Sequence, residues 1–158
     1  VEGRKLTVIA WDGRTLAADR EAGDSWIKCN SVIKIACLAG HLVGCAGPAS
    51  AAREMQAWFA AGADPAAFHE SLRKLDNLTM LAIAPDGTVK VYQNTPYPVI
   101  YAEGEFGNRY AIGAGKEAAM AVMLAGHDAR RAVEITSLVC AGCGNGVDTL
   151  TFPSLELP

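Results

Sequence analysis

Five strand-like runs crowd into the first 46 residues, before any helical periodicity begins, and this grouping constrains the fold more than any other feature. Alternation of apolar and polar residues predicts strands over 6–11, 14–19, 25–29, 31–38 and 41–46. Asp12-Gly13 supplies the turn between the first two. Gly47-Pro48 ends the pattern, and Pro48 suits the first turn of a helix. From Ala52 the apolar residues Met55, Trp58 and Phe59 recur at helical spacing, which assigns them to the core or to a subunit interface, and Gly62 closes that helix. Asp64 as an N-cap, followed by Pro65, predicts a second helix reaching Leu75. Strands follow over 78–83 and 88–92, joined by the hairpin signal Asp86-Gly87, and again near 98–102 and 109–112. Gly115 precedes a helix through Leu124 that Gly126 closes, Asp128 caps another from Ala129 to about Leu138, and Asp148 to Phe152 is the final strand. Grouped strands and grouped helices argue for an α+β fold, with two antiparallel sheets and helices packed outside them, rather than an alternating parallel α/β fold.

At 158 residues one domain with a sizeable core is expected. A chain that is 51% hydrophobic and 20% charged reads as globular rather than disordered. The net charge of −3 gives no electrostatic reason to bind nucleic acid or an anionic membrane. Apolar stretches are interrupted well short of a membrane span, and no signal segment is evident, so a cytoplasmic location is expected. Cys29, Cys37 and Cys45 lie in or beside predicted strands, where cysteine packs as a small hydrophobe. Cys140-Ala141-Gly142-Cys143 has neither a second C-x-x-C nor a histidine pair to complete a zinc site, so no metal is expected. It follows a helical segment instead of opening one, which predicts two reduced thiols near a helix end. Gly113-Ala114-Gly115-Lys116 fails as a phosphate-binding loop, because Tyr110 stands where its first glycine belongs and Glu117 where Ser or Thr belongs.

Three residues carry candidate chemistry. Thr7 heads the first strand, Asp19 ends the second, and Lys34 sits among apolar residues in the run Val32-Ile33-Lys34-Ile35. Singly, these are a strand former, a turn acid and an edge-strand charge. In that order, and together with Thr7-Val8-Ile9-Ala10, Ala17-Ala18-Asp19, Ala46-Gly47 before a helix, Tyr110-Ala111-Ile112-Gly113-Ala114-Gly115 before another, and Gly144-Asn145-Gly146-Val147-Asp148-Thr149-Leu150-Thr151, they give the chain a resemblance to the proteasome β-subunit family. The resemblance is nearest to the HslV-like peptidases and to small phage- or prophage-type bacterial members.

That resemblance implies a four-layer α-β-β-α sandwich of the N-terminal-nucleophile hydrolase type. It also implies a threonine-type peptidase in which the hydroxyl of Thr7 attacks and the α-amine of the same residue is the base. Lys34 would tune the nucleophile, Asp19 would orient and balance Lys34, and the backbone N–H groups of Gly113, Ala114 and Gly115 would form an oxyanion hole. Asp148 aligns with a further acid of the family's relay. No cofactor is implied. The implied partners are an unfolded protein or peptide substrate, other copies of the chain in a homo-oligomeric ring and, by analogy, an ATP-driven unfoldase.

The chain departs from the family in two places. Ala114 stands where the family commonly has serine, and residues 1–6 precede Thr7. Those six read as an N-terminal extension or as the remnant of a processing-protease site, since Val1-Glu2-Gly3-Arg4 resembles one. The domain is expected over 7–153, with a tail over 154–158. Peptidase chemistry is not expected while residues 1–6 remain attached. The alternative reading is a catalytically silent member that keeps the fold as an assembly or binding shell.

Overall fold

A computed structural model describes residues 7–23, 28–29, 32–101 and 106–153. The expected extension over 1–6, the tail over 154–158 and parts of the strands expected over 25–29 and 98–102 lie outside the described residues.

β1 (Ile9–Trp11) and β2 (Thr15–Asp19) form an antiparallel hairpin. The turn is fixed by Asp12, whose Oδ1 accepts hydrogen bonds from the N–H groups of Arg14 (2.8 Å) and Thr15 (2.7 Å). β3 (Ala22–Gly23) and β4 (Lys28–Cys29) make a separate two-stranded ladder. β5 (Ile35–Leu38), β6 (His41–Ala46), β7 (Thr79–Ile83), β8 (Val89–Tyr92) and β9 (Val99–Tyr101) follow one another across a five-stranded antiparallel sheet. β10 (Tyr110–Ile112) and β11 (Val147–Thr151) flank the first hairpin, giving a four-stranded sheet in the order β10-β1-β2-β11.

Strand alternation sends successive side chains to opposite faces. Ile9 pairs with Ala18 on one side and Ile112 on the other, and these three face the second sheet. There they meet Ile35, Leu42, Leu81, Ile83 and Val91, forming a core between the sheets. One residue along, Ala10 lies between Ala17 and Ala111 and faces outward. This row of small side chains lets α3 (Lys116–Leu124) and α4 (Ala129–Val139) pack close through Ala119, Met123, Ala132 and Val133. On the far side, α1 (Ala49–Ala60) lays Met55, Trp58 and Phe59 over Val43, Met80 and Tyr92. Burial of side chains of this size stabilises by about 1.5–3 kcal/mol each. Helices, sheet, sheet and helices thus make the four-layer α-β-β-α arrangement.

The helix expected from Asp64 to Leu75 is instead broken in two. Asp64 does cap, accepting from Ala66 N at 3.0 Å, but only a 3-10 turn over Pro65–Ala67 follows. Phe68 turns extended to set its ring edge-on against Trp58, with centroids 5.0 Å apart. His69 then caps a new single turn, α2 (Glu70–Arg73), its Nδ1 accepting from Ser71 N at 3.1 Å. Burial of the Phe68 ring in the core has overridden the local helical pattern. The strand expected over 31–38 begins only at Ile35 among the described residues; Lys34, just before it, still accepts from Cys45 N at 3.4 Å through its carbonyl oxygen, while its side chain enters the site described next. No described helix is long and apolar enough to cross a membrane.

Candidate active site

The β1–β2 hairpin returns Asp19 to the start of β1, where its N–H bonds Val8 O at 3.2 Å and its Oδ1 accepts from Val8 N at 3.1 Å. This pairing puts the carboxylate beside Thr7. Lys34, just before β5 in the opposite sheet, reaches across, and its Nζ donates to Asp19 Oδ1 at 2.8 Å and to Thr7 Oγ1 at 3.2 Å. Asp19 is 0% exposed, Thr7 6% and Lys34 9%. An ion pair withdrawn this far from water needs its remaining hydrogen-bonding capacity filled. Asp19 meets that condition, since its Oδ2 accepts from Glu21 N and Gly144 N, each at 3.2 Å. The ammonium therefore sits at fixed distance from the hydroxyl in a low-dielectric setting, where its pull on Oγ1 exceeds what it would be in water.

The Gly113-Ala114-Gly115 turn closes over the backbone of Thr7. Gly115 N donates to Thr7 O at 3.3 Å. Gly113 has φ +93°, and a Cβ there would lie 2.0 Å from Thr7 O, so only glycine fits. A Cβ on Gly115 would meet Thr136 Cγ2 at 2.5 Å and Val8 Cβ at 3.0 Å. α3 starts at Lys116, so the positive end of its dipole and the turn's backbone face the Thr7 region, an arrangement suited to developing negative charge. Ala114 is exposed and adds no hydrogen-bonding side chain to the turn.

The structure brings Thr7, Asp19, Lys34 and the 113–115 turn together. Asp148 lies one strand over, paired in register with Ala18, and its Oδ1 accepts from both Nε (2.8 Å) and Nη2 of Arg20. That hydrogen bond and the opposite charge raise the already high pKa of the exposed Arg20 guanidinium. The recorded hydrogen bonds of Asp148 run to Arg20 rather than to Thr7, and its Oδ2 is buried without a partner among the described residues.

Sequence reasoning missed Gly144 as a direct ligand of Asp19, and Arg20 as the partner of Asp148. A backbone N–H has no sequence signature, so only the run 144–151, which leads into β11, was recognisable. Cavities of 360 Å³ near Trp11 and Asn108, and of 300 Å³ near Trp58 and His69, are not lined by Thr7. Side-chain chemistry rather than cavity size marks the site. Among the described residues no cluster of three His, Cys, Asp or Glu could hold a metal ion.

No protein-family model and no curated protein sequence matches this chain. Solved structures do match. Eukaryotic HslV from Trypanosoma brucei superposes with a TM-score of 0.64 at 17% identity, covering 92% of this chain and 97% of that one. Thiobacillus denitrificans BPH in complex with epoxomicin gives 0.68 at 19% identity, covering 92% of this chain and 96% of its own. A second structure of Thiobacillus denitrificans BPH gives 0.66 at 18%, with the same coverage of 92% and 96%. Likeness at such low identity establishes architecture alone, and that architecture is the four-layer α-β-β-α sandwich of the N-terminal-nucleophile hydrolase type.

Proposed function

We propose that this chain is a threonine-type peptidase subunit of a proteasome-like homo-oligomer, with Thr7 as nucleophile once its α-amine is free. One observation carries the reading. The buried Lys34 ammonium bridges Thr7 Oγ1 and Asp19 Oδ1, at 3.2 Å and 2.8 Å, beside a glycine turn at a helix N-terminus.

The chemistry follows from that geometry. A free Thr7 α-amine has a reference pKa of about 7.7–8.0, and its neutral form takes the hydroxyl proton directly or through water. Lys34 stabilises the charge on Oγ1 as it attacks the substrate carbonyl carbon. Within the Gly113-Ala114-Gly115 turn, whose Gly115 N–H is held by Thr7 O, the N–H groups of Gly113 and Ala114 receive the oxyanion. Collapse of the tetrahedral intermediate breaks the C–N bond, and the departing amine takes the proton held by the Thr7 amine. The acyl group stays as an ester on Oγ1 until water, deprotonated by the same amine, releases the acid. The reaction needs no cofactor. With Leu6 attached, the Thr7 nitrogen is an amide and the base is missing.

Ring assembly, unfolded protein or peptide as substrate, an ATP-driven unfoldase and a cytoplasmic setting belong to the same proposal and rest on analogy with the fold's peptidases. The intact Thr7–Lys34–Asp19 network favours an enzyme over a silent shell. A shell gains little from a buried ion pair, which apolar residues replace at little or no cost in stability.

The test is hydrolysis of an unfolded protein by a chain trimmed to start at Thr7, beside its Thr7→Ala counterpart. The trimmed chain is expected to cleave and the variant to lose activity by about 10³-fold or more. Equal activity in both would sink the proposal, as would no activity from a folded, assembled trimmed chain.

A further inference from the structure

The peptidase chemistry leaves the C-x-x-C pair unused, yet the fold seats it against the candidate site. Cys140 ends α4 and is held there by its N–H bond to Thr136 O at 2.8 Å. Cys143 folds back through a turn closed by Cys143 N to Cys140 O at 3.2 Å, which Gly142 permits with φ +94°. The Cys143 thiol donates to Cys140 Sγ with the sulfurs 3.1 Å apart. Cys143 is buried and Cys140 half-buried. The next residue, Gly144, donates its N–H to Asp19 Oδ2 at 3.2 Å, and its C=O accepts from Arg20 N at 2.9 Å. Thiol pair, Gly144 and the carboxylate paired with Lys34 are therefore consecutive links of one chain of contacts.

We propose that Cys140 and Cys143 are a redox-active dithiol, oxidised to an intrachain disulfide by low-molecular-weight disulfides, and that the oxidation pulls Gly144 off Asp19. The Cys140 thiolate attacks one sulfur of the small disulfide, breaking its S–S bond and releasing one thiolate. The mixed disulfide on Cys140 is then attacked by the Cys143 thiolate, which expels the second small thiolate. The protein loses two electrons and two protons, and the small disulfide is reduced to two thiols. Half-buried Cys140 is the sulfur a reagent reaches first. Burial, the Cys140 hydrogen bond and the charge of Asp19 all raise the pKa of the Cys143 thiol, which suits a resolving rather than an attacking role.

A disulfide needs a sulfur separation of about 2.05 Å, so the pair must close by about 1 Å. Cys140 is anchored in α4, whereas Cys143 follows the exposed Ala141-Gly142 turn. Cys143 moves, and Gly144 moves with it. The effect on hydrolysis rests on the peptidase reading above; the disulfide itself does not.

The test begins with the folded full chain and glutathione disulfide. Intact mass is expected to fall by about 2 Da, with a peptide map joining Cys140 to Cys143. A Cys143→Ser chain is expected to stop at one glutathione adduct on Cys140. Hydrogen exchange at the Gly144 amide is expected to speed up on oxidation and slow again on reduction. Absence of the disulfide, or linkage to Cys29, Cys37 or Cys45 instead, overturns the redox site. A disulfide that leaves Gly144 exchange unchanged overturns the coupling to Asp19. In the trimmed chain, covalent labelling of Thr7 by an epoxyketone peptide is expected to slow about tenfold or more on oxidation. If the reduced trimmed chain is not labelled at all, the peptidase reading fails while mass and exchange still decide the dithiol.

Discussion

Lys34 faces both a hydroxyl and a carboxylate, and substitutions there separate catalysis from folding. In the trimmed chain, Lys34→Met keeps much of the side chain's length but removes the charge near Thr7 Oγ1. The rate of reaction at Thr7 is expected to fall about 10²-fold, measured as covalent labelling against time. Asp19→Ala removes the acceptor for Lys34 Nζ and for three backbone N–H groups, those of Val8, Glu21 and Gly144. Breaking a buried pair from one side costs about 3–5 kcal/mol, and a urea unfolding curve should show a loss of that size. A loss under about 1 kcal/mol would mean that water already reaches the pair. Gly113→Ala sets a Cβ against Thr7 O in left-handed backbone and is expected to cost upwards of about 1 kcal/mol and to abolish labelling. Thr7, Asp19 and Lys34 were legible in the sequence because their side chains have a recognisable order. Gly144 was not, because it acts through its amide, and the Arg20–Asp148 pair spans 128 residues with no local signal.

At the scale of elements, the strands were legible where alternation was clean. Ile9 and Trp11 point inward and Ala10 outward, as the run's pattern requires. The segment after Asp64 shows the limit of that reasoning. Its capping signal was real, but Phe68 finds Trp58 only by leaving helical backbone, and no local pattern encodes that distant ring. β4 falls within the strand expected over 25–29, whereas β3 and its pairing with β4 went unforeseen, because a two-residue strand carries too little alternation to register. Asp12 joins elements in a way the sequence suggested only as a turn. Its Oδ1 holds the β1–β2 turn while its Oδ2 accepts from Ala129 N, at 2.8 Å, at the start of α4. Asp12→Ala should therefore destabilise by about 1–2 kcal/mol, at the upper end of an ordinary cap loss, as read from a urea midpoint. Asp12→Asn, which keeps an acceptor, should lose clearly less.

For the whole molecule, the layered packing makes an alkaline prediction. Burial pushes the Cys45 thiol up from its ordinary 9.0 to about 12. Its contribution is fully present below pH 9.0 and is lost as pH rises toward about 12, because the unfolded chain releases the thiol proton first. Unfolding free energy should fall by up to about 1.4 kcal/mol per pH unit for this thiol, and Cys45→Ala should flatten the fall by that share. The nucleophile and base assigned to Thr7 are read together by labelling with an epoxyketone peptide followed by intact mass. The morpholine adduct requires a hydroxyl and a free α-amine on one residue, so it reports nucleophile and base together. One adduct is expected, at Thr7, on a chain trimmed to begin there, and none on the chain that keeps residues 1–6. A folded, oligomeric trimmed chain that takes no adduct, or a full chain that takes one, would contradict that assignment.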